Sequence, residues 1–144
     1  MVDDDNRYPD VKNAMLMGLR VGFRNLYLDT VKTVMRNMEE GKDALGQPFV
    51  PLARETVAAK GHAVPLVRSG DMRASIGTDS DIDLNNLHAE IGTSKNYLIH
   101  HEFGAPEAGI PRRPVLGPAA RYAEQQAPEH IDAEIDTRLE SVTI

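Results

Sequence analysis

The sequence predicts an α+β fold in which a long N-terminal helix and a C-terminal helix pack on a small antiparallel β-sheet. Three patterns predict it. Apolar side chains recur every three to four residues at Val11, Met15, Leu19, Phe23, Leu26 or Tyr27, Val31, Val34 and Met38, which is one stripe of a helix. Leu87, Ala89 and Ile91 alternate with more polar neighbours, as in a half-buried strand. Ile131, Ile135, Leu139 and Val142 return to helical spacing near the C-terminal end.

Taken in chain order, the first stripe has Pro9 and Asp10 where a helix starts and Gly41 where one stops. Such a helix would be roughly 45 Å long. That exceeds a small domain, so part of the stripe is expected to pack on a neighbour. Gly46, Pro48 and Pro51 then impose a turn and an extended stretch anchored by Phe49 and Leu52, ahead of a short helix that Pro51 opens and Gly61 closes. Ser69 suits a helix N-cap, with a brief turn carrying Met72 inward before the chain extends at Ser75 and Ile76. The acidic run TDSDIDLNN reads as a hairpin connection, and LHAEIGTS as the returning strand. After NYLIHHEFG comes a Pro- and Gly-rich loop from Pro106 to Pro118, and Pro128 is expected to break or kink the terminal helix.

At 144 residues the chain is read as one domain, 1–144, with a flexible N-terminal segment at 1–10. Aromatics make up only 5% and Trp is absent, so the core must be mostly aliphatic. The absence of cysteine excludes disulfides and thiolate metal sites. Apolar runs fall well short of the roughly eighteen residues of a membrane span, and the acidic start MVDDDNRYPD does not resemble a signal peptide, so no membrane partner is expected. A net charge of −6 gives no electrostatic reason to wrap nucleic acid.

His100, His101 and Glu102 are the one cluster of catalytic residue types, and they support a metal-dependent hydrolase as an alternative function. Their adjacency argues against it. Neighbours point to opposite faces of a strand or about 100° apart on a helix, and the zinc-protease spacing is missing. A packing or hydrogen-bonding role is favoured, with no catalytic residue, cofactor or metal expected. Ser69 and Ser75 have no base at readable spacing, so a cap and a strand residue are their expected roles. Arg112 and Arg113 form a compact basic pair between prolines. Either they belong to a solvated loop, or they make a two-pronged contact with a neighbouring carboxylate.

From Gly46 to Gly117, five short segments occur in a fixed order: GQPFVPL with later Thr56 and Lys60, LVRSGDMRASI, IGT, YLIHHEFG and IPRRPVLG. In that order they resemble the virion-morphogenesis and tail-completion proteins of tailed phages. Phe49 stands where that family often has Trp, Leu98 where a small residue follows the Tyr, His100 where an aliphatic residue is usual, and Val115 where an aromatic is usual.

The resemblance implies a structural subunit of the head-tail connector, made in the host cytoplasm and resident in the virion neck. It implies a homo-oligomeric ring, commonly a hexamer, next to other neck and tail proteins, with DNA passing through the lumen without specific binding. A ring needs a heterologous interface, one patch meeting a different patch on the next subunit. Its expected residues are Arg112, Arg113, Pro111, Pro114, Phe103 and Phe49. A monomeric adaptor module of the same fold is a further alternative.

Overall fold

The computed structural model describes residues 7–52 and 70–142. Helix α1 runs Tyr8–Glu39, with proline in its first turn and Gly41 beyond its end in a left-handed conformation, φ 75°. Residues 8–10, expected to be flexible, are therefore helical. The chain then turns back through a knot around Asp43. Its carboxylate accepts the Leu45 and Gln47 N–H groups at 2.9 and 3.0 Å, and Asn37 Nδ2 donates to its carbonyl. This closes the loop that delivers Phe49 into the interior, with the Phe49 N–H bonded to the Gly41 carbonyl. The short helix expected between Pro51 and Gly61 and the Ser69 cap lie outside the described residues.

Helix α2 spans Asp71–Asp79, which corrects the expectation of a strand at Ser75 and Ile76. Met72, Ser75 and Ile76 are all buried, and their spacing of three and four places them on one helical face. Ser75 is thus a helix residue whose hydroxyl bonds the Met72 carbonyl and the Thr93 hydroxyl. The sheet is a two-stranded antiparallel hairpin, β1 Asp81–Asp83 and β2 His88–Glu90, with Ile82 opposite Ala89. Its first strand lies within the acidic run expected to be connection. The Asp83 carboxylate ties the turn by accepting the Asn85 and Asn86 N–H groups.

Helix α3 covers Leu98–Phe103. A single 3₁₀ turn at Pro106–Ala108 follows, and then helix α4, Leu116–Ala127. Pro128 does not end the helix. The chain passes through a π turn, Pro128–Asp132, directly into α5, Ala133–Glu140. The wider turn accommodates a residue with no N–H to donate and a ring that crowds the preceding turn.

The core joins Val34 and Met38 of α1 with Ala44, Phe49, Met72, Ile76, Leu98, Val115 and Ala119. It takes only the C-terminal half of α1. The N-terminal half packs against the π turn and α5, and the expected stripe is out of phase there: Gly18 and Gly22 are buried, whereas Met15 is 44% exposed. Glycine allows the helices to approach. A Cβ at position 18 would lie 2.8 Å from Ile135 Cα, and one at position 22 would lie 2.7 Å from Ile131 Cα. Four polar groups fasten the same seam. The Tyr122 and Thr33 hydroxyls donate to Asp29 Oδ1 at 2.9 and 3.1 Å, and His130 Nε2 lies 2.8 Å from Oδ2. The terminal helix therefore packs chiefly on α1, not on the sheet.

Candidate functional site

Three sequence segments that are far apart in the chain meet around α3. Glu102 makes the central connection. Its carboxylate accepts the main-chain N–H groups of Val115, Leu116 and Gly117 at 2.6, 2.9 and 2.8 Å. These are donors that the first turn of α4 cannot satisfy within itself, and the negative charge also favours a helix N-terminus. Glu102 thus caps α4 from thirteen residues upstream. With both oxygens engaged, it is poorly placed to act as a metal ligand or a general base.

Gly104 follows with φ 76° and ψ 159°, a backbone region open essentially to glycine alone. A Cβ there would come within 3.3 Å of the Arg112 main-chain nitrogen. Ala105 and Ile110 exchange both backbone hydrogen bonds, closing a tight turn over Pro106–Ala108 that ends in left-handed Gly109. The Arg113 N–H then donates to the His101 carbonyl at 2.6 Å. The loop is fixed by its own main chain before any partner arrives.

Arg113 departs from expectation. It is 5% exposed, and its guanidinium donates to the Val50 carbonyl through Nε at 2.6 Å and to the Pro51 carbonyl through Nη2 at 3.0 Å. Burial pushes that guanidinium below its usual pKa. Its two prongs are used within the chain, holding the Phe49 loop against α3, so it does not present a fork to a neighbouring carboxylate. Phe49, 6% exposed, is likewise core and not interface. Both corrections have one cause: the partners are main-chain groups and core side chains distant in sequence.

The other expected interface residues remain on the surface. Arg112 and Pro111 are exposed, Pro114 is half-buried and Phe103 is 71% exposed. Arg112 Nε bonds the Glu102 carbonyl at 3.1 Å. A groove of about 660 Å³ brings Phe103, Pro111, Arg112 and Arg113 together with Pro51, His101 and Ile110. The sequence reading missed Ile99, which is 58% exposed one helical turn before Phe103, so the two form an apolar pair on the outer face of α3. Its signal was present: Ile99 is a large aliphatic residue out of phase with buried Leu98.

His100 is exposed, His101 is half-buried, and the two adjacent side chains diverge on α3. Among the described residues, no group of three or more His, Asp or Glu side chains is placed to hold a metal ion. Among the same residues, no helix is long and apolar enough to cross a membrane. Comparisons with protein-family models, curated proteins and solved structures find no match to this chain.

Proposed function

We propose that the chain is a structural subunit of the head-tail connector of a tailed virus. In this reading it acts in a ring that joins the DNA-filled head to the tail and continues the DNA conduit. The observation that carries the reading is the convergence of the resemblance segments. Phe49, Glu102, Gly104, Arg113 and Gly117, drawn from three separate motifs, belong to one braced unit in which each residue type meets a stated physical need. A family signature made of such residues marks a scaffold, and what the scaffold presents outward is Ile99 and Phe103.

A rigid surface with a small apolar centre and a polar surround suits permanent assembly, because little ordering entropy remains to be lost when it docks. The net charge of −6 suits a conduit through which DNA must slide without being held. Antibodies against the chain should decorate the neck of intact virions. Virus lacking it should accumulate filled heads and separate tails. Unlabelled necks together with an unchanged yield of joined particles overturn the proposal.

A further inference from the structure

A second surface lies between α1 and α2 and shares no lining residue with α3. Its floor is apolar: Leu28, Val31 and Met35 follow one another at spacings of three and four along α1, and Leu28 is 48% exposed. The groove encloses about 600 Å³ and runs to Gly77 of α2, where a Cβ would sit only 3.0 Å from the Met35 sulfur. Its rim is cationic. Lys32 and Arg36 are exposed there, and Arg73 reaches Glu39 at 3.1 Å across the end of the groove. Among the described residues Lys32 and Arg36 form no ion pair.

The same chain carries the opposite charge pattern elsewhere. Glu129, Asp132, Asp136 and Glu140 recur at spacings of three and four along the π turn and α5, and all four are exposed. Among the described residues none of them is in an ion pair; the single pair on this helix joins Arg138 to Glu134. They line the side of α5 turned away from its Gly18–Gly22 seam with α1, so the stripe and the groove are on different faces of the subunit. One face of each copy is thus complementary in charge to a different face of every other copy.

We infer that the acidic stripe of α5 docks into the cationic-rimmed apolar groove between α1 and α2 of a second copy of this chain. The inference rests on the assembly reading above, for which it supplies the contact between subunits. The contact is heterologous, so each subunit donates a stripe and receives one, and repetition closes a ring where the rotation permits. Opposite charges at the rim set orientation and rate of encounter, and the apolar floor supplies area removed from water.

The test uses the full chain, with native mass spectrometry and sedimentation velocity at low and high salt. Wild type should self-associate, and more weakly as salt rises. Lys32→Glu with Arg36→Glu, or Asp136→Lys with Glu140→Lys, should each raise the self-association Kd at least ~10-fold while leaving the thermal melt in place. Mixing the two charge-reversed proteins should restore assembly, because each then meets a complementary face, and combining all four changes in one chain should restore it as well. A strictly monomeric wild type overturns the inference, and so does an oligomer indifferent to both reversals. An oligomer that is dissolved by Ile99→Ser with Phe103→Ser but not by the reversals assigns self-association to α3 instead. That last result leaves the connector proposal standing. Charge-dependent oligomers from a chain absent from virion necks would reject the connector proposal and keep the contact.

Discussion

Gly22 and Ile131 approach so closely that a methyl group at position 22 would meet the Ile131 Cα at 2.7 Å. Gly22→Ala improves intrinsic helix propensity by about 1 kcal/mol. Forcing the two helices apart costs about 1–3 kcal/mol of overpacking and also strains the Asp29 network one turn or two further along. The prediction is a net loss, larger still for Gly22→Val, read from urea or guanidinium unfolding. Gly92→Ala is the control, since a Cβ there meets nothing within 4 Å, and it should stay within about 0.5 kcal/mol of wild type. Equal stability of the Gly22 and Gly92 variants would show that the seam is looser than the geometry states.

Glu102→Ala leaves three main-chain donors at the start of α4 without their carboxylate and should destabilise by about 1–3 kcal/mol. Glu102→Gln retains an accepting oxygen but loses the charge facing the helix N-terminus, so its cost should be smaller, near 1 kcal/mol. Thermal melts followed by circular dichroism separate the two. A catalytic carboxylate behaves differently, since its removal typically leaves the melt unchanged and abolishes an activity.

Arg113→Ala strands the Val50 and Pro51 carbonyls and leaves a void where the buried side chain lay, so a loss of about 2–4 kcal/mol is expected in the isolated chain. Arg113→Lys should be nearly as damaging, because an ammonium on a flexible stem does not reproduce two fixed prongs. A normal melt for both variants would return Arg113 to the surface role that the sequence alone left open.

These residues also show what the sequence conveys. Helix α1 was legible because a three-to-four spacing sustained from Val11 to Met38 has few rival explanations. Its phase in the N-terminal half was not, since hydropathy gives no weight to Gly18 and Gly22, the positions of closest contact. The β1 strand was hidden because only Ile82 among its three residues is apolar. Met72, Ser75 and Ile76 fitted a turn followed by a strand as well as a short helix, and packing onto Met35 and the core decided for the helix. The partners of Arg113 are carbonyls 62 and 63 residues away, and every residue has a carbonyl, so no residue type marks them. The outward α1 groove was readable in principle: Leu28 and Met35 are apolar residues that the chosen stripe left over.

Acid should loosen the molecule through Asp29. Burial works to raise that carboxyl, but hydrogen bonds from His130, Tyr122 and Thr33 outweigh it and hold the pKa below the usual value. A carboxylate depressed on folding contributes stability that is fully present above its unfolded pKa, near 3.9 for a model Asp. That contribution disappears as pH falls through the still lower folded value. Wild type should therefore lose melting temperature from about pH 4 downward more steeply than Asp29→Asn, and the two curves should run parallel at neutral pH. Parallel curves down to pH 2 would mean that the Asp29 carboxyl titrates alike in the folded and unfolded chain.

The last prediction concerns Ile99 and Phe103, which are 58% and 71% exposed on a helix that Glu102 and the Arg113 main chain hold in place. Neither side chain supports the core, so Ile99→Ser with Phe103→Ser should melt within about 0.5 kcal/mol of wild type. Two large apolar groups exposed side by side on a fixed frame are costly to leave in water, and each contributes about 1.5–3 kcal/mol when fully buried against a partner. If the chain is the connector subunit proposed above, the double substitution should lower its incorporation into virion necks far more than it lowers stability. Quantifying the chain in purified particles, beside the melt of the isolated variant, reads both effects at once. Undiminished incorporation with an unchanged melt removes α3 from the assembly surface, whereas a lowered melt shows that Ile99 or Phe103 supports the subunit's own fold.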